Sequence, residues 1–225
     1  MSYDYISTKY DIMHEFLVQG CEVEGSESFP VLKPSLTIPE NTIDFEGSKY
    51  RSLKNRENLN VNFYIDDKLF SSVWTDPKKY LSHFKKFHSI CGFDFSIDLN
   101  SMKPLQYYNK WRNMALTYFY QSHGIDVIPS VNILPEECWD WCFKGLPEES
   151  VLSCSSNGRV RSRALRKEFC ESFYGMEKIL KPKAVVIVGR EVPELETDTR
   201  VVYLPSRSQR IEMELKQNGN LYKNE

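Results

Sequence analysis

The chain has 225 residues, 41% of them apolar, and its 29 Lys and Arg stand against 31 Asp and Glu for a net charge of −2. A chain of this length buries roughly 70% of its unfolded surface and needs neither disulfide nor metal to fold. Ten glycines, eleven prolines and six cysteines exclude collagen-like, disordered and disulfide-scaffold classes.

No apolar run approaches the ~18 residues of a membrane span. The opening stretch to Asp11 lacks the basic flank and apolar core of a secretory signal. The expectation is therefore a cytoplasmic protein with reduced thiols and no membrane partner. Charge is uneven: residues 1–57 hold six basic and ten acidic groups, whereas 159–190 hold nine and three. The basic block predicts a local anion site rather than a nucleic-acid coat over the whole surface.

Residues 1–57 read as an irregular arm. Tyr10 to Val18 suits a short helix ending at Gly20, and Pro30, Pro34 and Pro39 then break helix and strand ladders alike. From residue 58 short apolar runs alternate with amphipathic ones. Val61–Ile65 reads as a strand ending in Asp66-Asp67. Asp76-Pro77 opens a helix, with Asp as N-cap and Pro in the first turn. Phe93–Asp98 alternates as a second strand, and a long helix runs from Pro104 toward His123, closed by Gly124. Asp126–Val131 is a third strand and Val151–Ser155 a fourth. Arg163–Leu180 is helical, Ala184–Val188 is a buried strand, and Val201–Leu204 suits a sixth. The expected organisation is an arm over 1–57, an α/β domain over 58–205 and a polar tail over 206–225.

The clear strands start 24–34 residues apart, the period of strand–helix units rather than hairpins. The fold class is therefore α/β. Its mainly parallel sheet has five to six strand–helix units, either open or rolled into an abbreviated barrel. In such folds ligands bind beyond the carboxyl ends of the strands. Polar residues come directly after successive predicted strands: Asp66 and Asp67, Ser96 and Asp98, Ser130 and Asn132, then Asn157, and finally Gly189 and Arg190. Loop starts are polar by default, so the pattern competes with ordinary loop chemistry.

Asp66, Asp67, Asp94 and Asp98 could supply paired carboxylates for acid–base work or, as hard oxygen donors, for Mg²⁺, although no motif fixes a metal geometry. Asp94 alternates with Phe93 and Phe95 and is either buried or solvent-facing, so Asp66, Asp67 and Asp98 are the candidate acid–base groups. Ser96, Asn109, Arg112, Asn132, Asn157 and Arg190 are the candidate ligand contacts. The Ser153–Arg159 stretch is built of small residues and leads into a basic helix, which suits phosphate. It matches neither the P-loop nor the dinucleotide fingerprint. No nucleophile elbow or zinc-protease motif is present, and Cys138 and Cys142 lack a second pair to complete a zinc site. The ligand expected on these grounds is phosphate-bearing, either a nucleotide or a nucleic acid. The alternative is a non-catalytic protein that captures a host or phage protein through its aromatic surface and acidic arm.

The run from Val61 to Arg190 resembles a family of bacterial, phage and mobile-element proteins catalogued as domain of unknown function four-four-one-seven. The resemblance rests on Asn62 to Asp67, Phe70, Trp74, Pro77, Asp94-Phe95-Ser96, Tyr108-Asn109 with Arg112, Gly124 to Pro129, Phe143 to Pro147, and Lys181-Pro182 leading to Val188-Gly189. Where the family carries Trp after the third strand, this chain carries Asn132-Ile133. The resemblance implies a phage or mobile-element setting, hence the cytoplasm of a host cell, and implies no reaction.

Overall fold

The computed structural model describes residues 11–221; the first ten residues of the expected arm and the last four of the tail lie outside them. Seven parallel strands form the sheet among the described residues: β1 (Thr42–Asp44), β2 (Asn60–Asn62), β3 (Ser89–Cys91), β4 (Val127–Ile128), β5 (Val151–Ser155), β6 (Ala184–Val188) and β7 (Arg200–Leu204). β1 to β4 make one ladder and β5 to β7 another, each in chain order. A parallel bridge between Ser130 and Ser153 joins the two, with Val131 N donating to Ser153 O at 2.8 Å and Ser153 N to Pro129 O at 2.9 Å.

The sheet is rolled rather than open. Tyr64, Cys91, Ile128, Val151, Ala184, Val186, Val188 and Leu204 pack as one inner cluster. The hydroxyl of Tyr64, beyond β2, meets Ser153 of β5 three strands away, which a flat sheet would keep apart. Strand side chains alternate between faces. Asn60 and Asn62 therefore point inward with Thr42, whereas Val61 and Phe63 point out into the aromatic core. No ladder joins β7 to β1 among the described residues. Instead Arg210 reaches back to the carboxylate of Asp44 and to the carbonyl of Thr42. The result is the abbreviated barrel, not the open sheet.

Helices α1 (Asp67–Thr75), α2 (Lys103–Ser122), α3 (Arg163–Leu180) and α4 (Arg207–Leu221) cover the sheet or come after it. Asp66 caps α1, Pro104 sits in the first turn of α2, and Ser162 caps α3 by accepting from Leu165 N. Phe45, Phe63, Phe70, Phe84, Phe93 and Tyr120 fill the outer core of the first ladder. Trp141, Phe169, Phe173 and Met176 do so for the second. Lys110 of α2 is 2% exposed, and its ammonium lies 5.6 Å from the Phe29 ring; burial pulls its pKa down to about 8.

Two expectations change. β1 lies inside the stretch expected as an irregular arm, so the sheet has one strand more than the five to six anticipated. That stretch also holds a short antiparallel pair, Val23–Glu24 with Phe29–Pro30. The second strand is Ser89–Cys91, not Phe93–Asp98, because the alternating run leaves the ladder and is pinned to α2 instead. The polar tail, expected as a frayed helix or disorder, is helical over α4.

Candidate functional site

Beyond β2 the chain bends inward at Tyr64. Its hydroxyl donates to Ser153 Oγ at 2.9 Å and lies 2.9 Å from Ser130 Oγ. Burial, with Cys91 and Asp94 nearby, raises its pKa well above the usual phenol value. Tyr64 is thus a fixed neutral hydroxyl that ties the ends of β2 and β4 to the middle of β5.

Beyond β3, Phe93 and Phe95 turn into the aromatic core. Phe93 stacks on Phe63 with centroids 4.1 Å apart, and Phe95 lies 4.6 Å from Phe70. Asn113 of α2 stands in for a strand partner: its Oδ1 accepts from Phe95 N at 2.6 Å and its Nδ2 donates to Phe95 O at 3.1 Å. Period-two alternation then leaves Asp94 on the opposite side, facing the barrel mouth. Asn132 Nδ2 donates to Asp94 Oδ1 at 2.9 Å. Burial, then the nearby charge of Asp67, push the Asp94 carboxyl up to about 7, against the pull of Asn132 and Arg159. Asp94 can therefore hold or release a proton near neutral pH.

Beyond β5, Ser155 Oγ donates to Val188 O at 2.9 Å and accepts from Asn157 N at 3.0 Å. Asn157 Nδ2 donates to Tyr64 O at 3.3 Å, linking the ends of β5 and β2. Arg159 folds back so that Nη2 donates to Ile133 O at 3.4 Å. Beyond β6, Gly189 has φ +139°, and a Cβ there would stand 2.3 Å from Ser156 Oγ. Only glycine lets these two strand ends approach so closely.

Together these groups enclose a cavity of about 450 Å³. Its polar lining is Tyr64, Asp66, Asp94, Ser96, Asn132, Ser155, Asn157 and Arg159, and its apolar lining includes Ile97, Val131 and Ile133. Of the residues singled out from sequence, Asp66, Ser96, Asn132 and Asn157 meet here. Asp66 does so as the cap of α1, its carboxylate accepting from Lys68 N at 2.9 Å.

Asp67 stands behind the rim. Its carboxylate accepts from Ser96 N at 3.1 Å and from Ser96 Oγ at 3.0 Å, which fixes the loop that Ser96 belongs to. The other four candidates lie outside the cavity. Asp98 closes a turn by accepting from Asn100 N at 2.9 Å. Asn109 donates to Ser96 O and accepts from Arg112, each at 2.6 Å. The Arg112 guanidinium lies 3.9 Å from the Phe95 ring centroid and 5.1 Å from that of Tyr108, packing rather than reaching out. Arg190 is exposed and pairs with Glu212 at 3.2 Å.

Sequence reasoning misses Tyr64; it places Asp94 among the possible carboxylates and Ser155 and Arg159 in the small-residue anion loop, without carrying them into the set of candidate site residues. The one signal for Asp94 was its alternation with Phe93 and Phe95. With the aspartates spread in this way, no group of three or more His, Cys, Asp or Glu among the described residues is placed to hold a metal ion.

A rolled, all-parallel α/β sheet with a polar cavity at its carboxyl rim defines the class of protein. The chain belongs to the family described as Domain of unknown function (DUF4417), which matches residues 21–204. The match extends past both ends of the run that carries the resemblance and takes in β1 and β7. The chain is similar to the Gene 1 protein of Mycobacterium phage L5, 26% identical over 185 residues that cover 81% of this chain and 79% of that protein. It is also similar to the Gene 1 protein of Mycobacterium phage D29, 25% identical over 81% of this chain and 67% of that protein. No solved structure matches significantly. Among the described residues no helix is long and apolar enough to cross a membrane.

Proposed function

We propose that the cavity at the strand ends binds a phosphate-bearing small molecule of nucleotide size, and that Asp94 exchanges a proton with it. The observation that carries this reading is the pairing of Asp94 and Arg159 on one bounded cavity of about 450 Å³. Arg159 supplies a forked, permanently charged donor suited to phosphate oxygens. Asn157 and Ser155 supply neutral polar groups on the same side, and Ile97, Val131 and Ile133 supply apolar wall for a ring. A carboxyl that titrates near 7 is suited to acid–base work at cellular pH. The volume of the cavity suits a nucleotide.

The test is thermal stabilisation by a panel of ligands, since a ligand that binds only the folded state raises the melting temperature. Nucleoside phosphates and inorganic phosphate are expected to stabilise the protein, and nucleosides without phosphate are not. A panel with no stabilising member at millimolar concentration overturns the reading.

A second reading, a protein that captures a host or phage protein, draws support from α4. Its Ile211, Met213 and Leu215 are 47%, 51% and 66% exposed. A partner recovered at equal stoichiometry by the wild type and lost with Ile211→Ser/Leu215→Ser favours that reading. Recovery by both forms alike removes α4 from it.

A further inference from the structure

The amino-terminal rim of the barrel, opposite the cavity, carries a cation cluster that the cavity does not use. The loop entering β2 reads Lys49-Tyr50-Arg51-Ser52-Leu53-Lys54-Asn55-Arg56, four cations in eight residues without an acid. The loop entering β3 adds Lys85 and Lys86. The two loops are joined, because His88 N donates to Leu59 O at 3.0 Å. Arg56 also lies over the Phe87 ring, 5.9 Å from its centroid. Half-buried His83 lies near them, and burial, then the charges of Arg56, Lys86 and Lys49, drive its pKa down to about 4. At neutral pH it is uncharged, so it adds no charge to the cluster.

Among the described residues only Lys49 of these cations has an acidic partner, Glu46. Arg56 Nη2 donates to Tyr50 O at 2.6 Å, while its buried Nε has no hydrogen-bond partner. Tyr50 is 62% exposed in the midst of these cations. Unpaired cations spread over two adjoining loops around an open ring match a phosphate backbone with stacking nearby. The exposed side chains of the loop are polar or aromatic rather than aliphatic, which disfavours insertion into a lipid surface.

We propose that this rim, through Arg51, Lys54, Arg56 and Lys86, docks the phosphate backbone of nucleic acid, independently of the cavity on the other side of the barrel. The test is fluorescence anisotropy with a labelled duplex of about two helical turns, repeated with a single strand of the same length, at low and raised salt. The wild type is expected to bind either form, with affinity falling steeply as salt rises. Arg51→Ser/Lys54→Ser/Lys86→Ser should bind at least tenfold more weakly with a shallower salt slope, by about 0.9 for each duplex phosphate left without its cation. Circular dichroism of these exposed substitutions checks that the fold is kept. Arg159→Ala should leave this binding unchanged, which separates the rim from the cavity. No binding at low salt, a triple variant that binds as the wild type does, or binding confined to anionic vesicles overturns the proposal.

Discussion

Asn132 Nδ2 donates to Asp94 Oδ1 at 2.9 Å, joining residues 38 apart in sequence at neighbouring strand ends. The bond is available to either protonation state of Asp94, so Asn132 fixes the carboxyl's place while burial and the charge of Asp67 raise its pKa to about 7. The free carboxylate of an unfolded chain titrates near 3.8. Between these values the folded state binds the extra proton, so stability falls as pH rises from about 4 to about 7. Asp94→Asn should match the wild type near pH 4 and exceed it above pH 7 by roughly 1–3 kcal/mol, a discount for the carboxyl's contact with the open cavity. Urea unfolding at the two pH values measures this, and equal stabilities at both would contradict it.

Arg159 faces the same cavity with only a long bond to Ile133 O holding it. Arg159→Ala should therefore weaken binding of a nucleoside phosphate about tenfold or more, a loss of at least about 1.4 kcal/mol, with a melting temperature within a few degrees of the wild type. Isothermal calorimetry reads the first and scanning calorimetry the second. A matching loss of stability would assign Arg159 to the fold instead.

Lys110 is buried, and its pKa is lowered to about 8 from 10.5. Below pH 8 the folded state carries the whole cost of the buried charge, and above about 10.5 the cost is gone. Lys110→Met keeps the length of the side chain and removes the ammonium. It should stabilise the protein at pH 7 by about 1 kcal/mol or more, with the gain shrinking toward pH 10.5. Chemical denaturation across that range measures it.

Arg210 and Asp44 stand at the two open edges of the sheet, and Asp44 is 3% exposed. Arg210→Met would leave that carboxylate with its cap to Gly47 N and no cation. Removing one partner of a buried pair costs about 3 kcal/mol. A loss of less than about 1 kcal/mol in urea unfolding would mean that β1 and β7 are held together by other contacts.

Much of the architecture was legible because long-period strand–helix alternation needs no tertiary information. Arg163–Leu180 and Ala184–Val188 could be bounded from sequence because caps and an unbroken apolar run mark their ends. β1 was hidden because Thr42-Ile43-Asp44 is short and largely polar; Thr42 meets Asn60 and Asn62 inside the barrel and Asp44 meets Arg210, which no local pattern reveals. Phe93–Asp98 looked like a strand because it alternates. The alternation is real, but Asn113 rather than a neighbouring strand satisfies the Phe95 peptide. Asp66, Ser96, Asn132 and Asn157 were legible because each stands at or just past the end of a strand-like run, where a parallel α/β fold gathers its polar groups. Arg112, kept as a candidate contact although packing was the favoured reading of a guanidinium beside aromatic rings on a helix, packs on Phe95 and Tyr108; only the position of Phe95 decides.

The most direct measurement is a pH titration of the Asp94 carboxyl carbon by NMR, assigned by its absence in Asp94→Asn, with and without inorganic phosphate. The account predicts a midpoint near 7 in the free protein and a higher one with phosphate, because an anion beside Arg159 disfavours the carboxylate. A midpoint near the ordinary ~4, unmoved by phosphate, would contradict it.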